Sequence, residues 1–96
     1  MITPQYLDKI SNELFEKHSL AALVICIEAG RELDFNYKNI LYGITWIKGN
    51  EKVILIDTKS NETQEFKNII DLVINGIIDN KRFIDIWEDV FLIQLL

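Results

Sequence analysis

Residues 36–57 read NYKNILYGITWIKGNEKVILID, and whether they form a helix or two strands decides the layout of the chain. A helix is compatible with Tyr37, Ile40, Leu41 and Ile44, which fall at helical spacing. The β-branched and aromatic content and Gly43 favour strands. ILYGITWI and KVILID then become the arms of a hairpin, with the Gly49-Asn50 pair inside KGNE marking a tight turn. Gly43 within the first arm suggests a bulge. Just upstream, ELDFNYK alternates, with Leu33, Phe35 and Tyr37 on one side and Asp34, Asn36 and Lys38 on the other. That is the pattern of a half-exposed strand.

Working outward, TPQYLDKISNELFEKHS (residues 3–19) predicts a first helix. Thr3 is placed as its N-cap, Pro4 suits the first turn, and Leu7, Ile10, Leu14 and Phe15 make the apolar stripe. LAALVICIE (residues 20–28), short, aliphatic and free of charge until Glu28, reads as a buried strand. SNETQEFKNIIDLVINGIIDN (residues 60–80) reads as a second helix. In it Asn61 and Gln64 resemble a capping box, Phe66, Ile69, Ile70, Val73 and Ile77 form the buried face, and Gly76 is either a C-terminal cap or a tolerated weak point before Asn80. The final VFLIQLL is apolar on both alternating faces, which predicts a central strand covered on both sides. The fold class expected is therefore α/β layered (α+β): helix, three or four strands, helix, C-terminal central strand. A mixed sheet is packed by two helices in a single domain over residues 1–96, and some apolar surface is left for a partner or a homodimer.

Composition narrows the function. Hydrophobic residues make up 49% of the chain and charged residues 26%, which is globular and not disordered. No apolar run reaches the roughly 18 residues of a membrane helix, and the start lacks the pattern of a secretory signal. A lone cysteine, Cys26, cannot form an internal disulfide, so a cytoplasmic setting is expected. Net charge is −5. From Asp71 onward, five acids (Asp71, Asp79, Asp85, Glu88, Asp89) face two bases (Lys81, Arg82). Such a surface repels nucleic acid and anionic lipid and attracts a basic partner.

Few residues carry obvious chemistry. Cys26 sits among aliphatics, as an inert buried thiol does. His18 falls at the end of the first helix, where it suits the dipole or a carbonyl cap. With one His and one Cys, no zinc site, and more broadly no metal or cofactor, is expected. The aromatics Tyr37, Tyr42 and Trp46 share one side of the hairpin, with Trp46 read as core. Trp87 stands amid Asp85, Glu88 and Asp89 and serves equally as a core residue or as an interface anchor. Glu28, Glu32 and Asp34 gather around EAGRELD as a second acidic patch.

Two resemblances follow. LAALVICIEAGRELD, after the first helix, and INGIIDNKRFIDIWEDVFLIQLL, at the end, give a layout that resembles small acidic bacterial immunity proteins. These include the immunity proteins of contact-dependent growth inhibition and of tRNA-cleaving colicins. The resemblance implies a binding protein without catalytic residues that covers the active site of a basic toxin domain, often a nuclease. Asp85, Trp87, Glu88, Asp89, Glu28, Glu32 and Asp34 would then be the partner-binding residues. YGITWIKGNEKVILIDTK resembles instead the hairpin of PD-(D/E)xK nucleases through Asp57, Thr58 and Lys59. That alternative implies a Mg²⁺ enzyme in which Asp57 binds metal, Lys59 activates water, and Glu13 or Glu16 assists. Where that pattern has its first-strand aspartate, this chain has Ile44, and Asp34 would need a different register.

Overall fold

The computed structural model describes residues 3–47, 49 and 51–96. Thr3 caps the first helix, its side chain accepting from the Tyr6 amide at 3.1 Å, and α1 runs Pro4–Lys17. Ile10 and Leu14 are buried, while Phe15 is exposed. The helix ends at His18 in the left-handed conformation (φ 54°).

LAALVICIE is not a strand. Ser19 accepts a hydrogen bond from the Ala22 amide at 3.1 Å and starts a second helix, α2, Leu20–Glu28, folded back on α1. Its buried residues, Ala22, Leu23, Cys26 and Ile27, recur at helical spacing, but Leu20, Val24 and Ile25 are apolar too and hide that period. An unbroken apolar run of this length fits a buried helix as well as a buried strand. Ser19 is the signal that separates them.

The hairpin reading holds. β1 (Leu33–Tyr37), β2 (Ile40–Ile47), β3 (Lys52–Asp57) and β4 (Thr63–Phe66) form an antiparallel meander. Lys38 and Asn39, both at positive φ (50° and 66°), turn β1 into β2 in two residues, as mirror-image hairpin turns require. The expected Gly49-Asn50 turn includes Lys48 and Asn50, which lie outside the described residues. Gly43 makes no bulge and pairs in register with Asp34 on one side and Ile56 on the other.

Residues 60–80 depart from a single helix. Thr63–Phe66 alternates and pairs with β3, so the Asn61–Gln64 motif belongs to a turn and a strand. Asn61 is in fact left-handed (φ 64°). The helix, α3, spans only Ile69–Asn75 and is capped by Asn68, whose side chain accepts from the Asp71 amide at 2.8 Å. Gly76 is its C-cap, the first of the two readings of that glycine. A two-residue hairpin follows, β5 (Ile77–Ile78) and β6 (Lys81–Arg82), around Asp79 and Asn80 at positive φ. Then come a short helix α4 (Phe83–Ile86), a 3₁₀ turn (Trp87–Asp89) and β7 (Phe91–Leu95).

The fold class is α+β, as expected, with two corrections to the sheet. Its order is β4-β3-β2-β1-β7, antiparallel throughout and not mixed, and β7 is an edge and not the centre. Phe91 is 69% exposed. The alternation in VFLIQLL misleads because β7 carries a bulge. Asp34 pairs with Gln94 and Phe35 with Leu92, which leaves Ile93 without a partner. Leu92 and Leu95 can therefore both turn toward the core, while Phe91, Ile93 and Gln94 stay outside. A strand this apolar at an edge reflects one covered face, not two.

All the helices lie over one face of the sheet. On that face Leu33, Phe35, Tyr37, Tyr42, Ile44, Val53, Leu55 and Phe66 are buried, and the Phe35 ring stacks on Tyr42 at 5.3 Å and meets Phe83 edge-on at 5.7 Å. On the other face not one of Asp34, Asn36, Leu41, Gly43, Thr45, Ile54, Ile56, Thr63 and Glu65 is buried. Among the described residues, no polar or charged residue is buried, and no helix is long and apolar enough to cross a membrane.

Candidate functional site

The structure divides the first acidic patch. Trp87 is 6% exposed and faces the core beside Phe83, so it cannot fill a partner's pocket. Its indole Nε1 donates to the His18 carbonyl at 2.9 Å, and His18 Nε2 lies 2.6 Å from the Trp87 carbonyl. Asp85 is exposed but taken up by Arg82, whose Nε and a terminal nitrogen donate to its two oxygens at 3.0 and 3.4 Å. Glu88 and Asp89 are exposed and stand just before Phe91 at the start of the edge strand. The alternation around the tryptophan reflects a short helix and a 3₁₀ turn that point Trp87 inward and the acids outward.

The second patch also separates. Glu28 is exposed at the end of α2, beside Gly30, Trp46 and Glu51. Trp46 itself is half-buried, its Nε1 donating to the Ile27 carbonyl at 3.2 Å. Glu32 and Asp34 belong together on the uncovered face of the sheet. The Thr45 hydroxyl donates to Glu32 Oε1, and the Gln94 amide donates to Asp34 Oδ2 at 2.8 Å. These bonds pin the Asp34 carboxylate beside Gly43 and the Glu32 carboxylate on Thr45, on the face that also carries Leu41, Ile54 and Ile56. Glu65 lies on the same face, and Lys52 is its only base among the described strand positions.

The Asp57-Thr58-Lys59 stretch folds as a turn. Asp57 Oδ1 accepts from the Lys59 and Ser60 amides at 2.9 and 3.2 Å, Thr58 Oγ1 donates to the Leu41 carbonyl at 2.7 Å, and Lys59 is exposed. Asp34 and Asp57 occupy opposite faces of the sheet, since Asp57 pairs with inward-facing Tyr42. Among the described residues, no group of three His, Cys, Asp or Glu could hold a metal ion. Cys26 is fully buried, and burial raises its thiol pKa, partly offset by Ser11 and Arg31.

A further cleft escaped the sequence reading. It holds about 400 Å³ between the end of the sheet and the β5–β6 hairpin, and is lined by Tyr42, Leu55, Asp57, Glu62, Gln64 and residues 77–80. Tyr42, Asp57 and Asp79 continue into a second lobe of about 270 Å³ with Tyr37, Lys38 and Ile40. Gln64 clamps its walls: its amide donates to the Ile77 carbonyl at 2.7 Å and its oxygen accepts from the Ile77 amide at 2.9 Å. Lys38 Nζ reaches Asp79 at 2.6 Å and lies 5.5 Å from the centre of the Tyr37 ring. The Asp79 contact raises the Lys38 pKa, and Lys38 in turn lowers that of Asp79. Burial, followed by the Asp57 and Asp79 charges, pushes the Tyr42 phenol above its usual range. The available signal was Asp79-Asn80 between Ile78 and Lys81, a turn pair that the long-helix reading absorbed.

Comparison with family models, curated proteins and solved structures found no match to this chain.

Proposed function

We propose that this protein is an immunity-type inhibitor that covers a basic partner protein, a toxin domain such as a nuclease, with the uncovered face of its sheet. The observation that carries this reading is the make-up of that face: apolar Leu41, Ile54 and Ile56 in the middle, Glu32, Asp34 and Glu65 around them, and, among the described strand positions, only Lys52 opposing. Exposed Phe91 and the nearby Glu88 and Asp89 extend it along β7. An apolar centre with a charged rim is what a protein interface needs, and the sign of the rim selects a cationic partner and speeds its encounter. A second copy docking by the same face would set carboxylate against carboxylate, so the occupant is a different, basic protein. A nuclease is basic because it must hold a polyanion. A cytoplasmic site of action goes with this reading.

The experiment takes the open reading frame beside the gene for this chain, produces its C-terminal domain and measures binding by calorimetry. The reading expects a one-to-one complex that weakens as salt rises. It also expects Glu32→Lys with Asp34→Lys to lower affinity at least about tenfold at unchanged thermal stability. No complex, or one indifferent to salt and to the charge reversal, defeats it.

A further inference from the structure

The two edges of the sheet are finished differently. At β4 the Gln64 side chain is clamped to the Ile77 main chain, and Glu65 adds a charge. β7 reads FLIQL, with neither charge nor proline, and among the described residues no strand pairs with its outer side. An apolar edge left open in this way is a template for another strand. Apolarity alone does not say whose strand; charge and register do.

The two ends of β7 carry opposite charge. Glu88 and Asp89 stand exposed just before Phe91. At the other end, Arg31 Nε donates to the Leu96 carbonyl at 2.8 Å. None of the three takes part in the two ion pairs found among the described residues. An antiparallel copy of the strand brings unlike ends together, so each Arg31 meets the acids of the other chain. Register agrees. Phe91 and Gln94 lie on the uncovered face, opposite Asn36 and Asp34, whereas Val90 and Leu95 pack on the core. Residues paired across antiparallel strands share a face. The longest pairing that respects this sets Phe91 opposite Gln94 of the copy, Val90 opposite Leu95, and Asp89 opposite Leu96. In the middle, Leu92 and Ile93 meet Ile93 and Leu92. The bulge of one strand is then matched by the same bulge in the other, which a regular strand of another protein lacks.

We propose that two copies of this chain join through their β7 edges, antiparallel and about a two-fold axis normal to the sheet. The five-stranded sheet is thereby doubled, with Arg31 of each chain on Asp89 of the other. The dimer goes beyond the inhibitor reading and leaves the uncovered face of the sheet open, with the two copies of that face side by side. Glu32 and Leu96 exchange both main-chain bonds, at 3.1 and 2.7 Å, so the strand alternation turns the Leu95 amide outward into the new seam.

The test is sedimentation equilibrium of this chain alone over about 5–500 µM, with Arg31→Glu, Asp89→Arg and the two combined. Expected is a reversible monomer–dimer equilibrium without larger species. Each single reversal should raise the dissociation constant about threefold to thirtyfold, because a two-fold contact sets like charges together twice. The combined variant should return to within about threefold of the parent. Amide exchange gives a second readout on the unaltered chain: Leu95 should exchange more slowly as concentration rises. A monomer throughout the range, open-ended growth, or Leu95 exchange indifferent to concentration overturns the dimer. So does an association constant indifferent to the single reversals, or a combined variant no tighter than either. The basic partner is absent from every measurement, so failure here is separate from failure of the inhibitor reading.

Discussion

His18 and Trp87, 69 positions apart, each bond to the other's main chain: the Trp87 indole donates to the His18 carbonyl at 2.9 Å, and His18 Nε2 lies 2.6 Å from the Trp87 carbonyl. A carbonyl can only accept, so the proton of the imidazole sits on Nε2. The rings lie 4.3 Å apart. The end of α1 is thereby fastened to the segment leading into β7.

Trp87 is accordingly a stability residue. Trp87→Ala should cost about 3–5 kcal/mol in urea unfolding, as removal of a buried aromatic does. His18→Ala should cost less, and a double-mutant cycle should return a coupling of about 0.5–3 kcal/mol. Additive losses would show the two contacts to be independent.

The glycines should separate. A Cβ on Gly76 would stand 2.6 Å from the Leu72 carbonyl oxygen, which already accepts the Gly76 amide, so Gly76→Ala should destabilise by about 1–3 kcal/mol. On Gly43 it would meet only Asp34 Oδ1, at 3.6 Å. Gly43→Ala should stay within about 0.5 kcal/mol of the parent. Thermal melts of the two variants check both figures.

Alkali should weaken the fold through Tyr42. Its phenol binds its proton more tightly in the folded chain, first through burial and then through Asp57 and Asp79. That contribution is intact below about pH 10 and is lost as pH rises through the elevated folded value, because the folded state holds the extra proton. Lys38, raised by its hydrogen bond to Asp79, acts with the same sign in a similar window. Urea unfolding between about pH 9 and pH 11 should therefore show a shallower decline for Tyr42→Phe than for the parent.

The edge strand should govern self-association. β7 pairs on one side only and exposes Phe91 and Ile93. An apolar edge of this kind is a template for further strands. Phe91→Lys should lower light scattering at high concentration and leave the melting temperature nearly unchanged.

How much of this could be read in the residues alone varies by element. Thr3-Pro4 and the alternation of Leu33–Tyr37 gave α1 and β1, because caps and period-two burial are local signals. Residues 20–28 defeated the reading because apolar side chains all round erase the period. Residues 60–80 did so because a strand, a cap and a seven-residue helix succeed one another there with no proline between them, and Asn61 imitates the cap that Asn68 supplies. Glu32 and Asp34 were recognised as acids, but their place on a shared face depended on register. The cleft around Tyr42 joins residues far apart in the chain, and no spacing rule reaches that distance.

The bulge at Ile93 has a consequence for assembly. The four meander strands are sequence neighbours and can zip together from short loops, whereas β7 must come back across the width of the domain to find β1. That seam, out of step by one residue, is the alignment in which Leu92 and Leu95 both turn toward the core. A tail paired one residue out of step would leave its leucines in water.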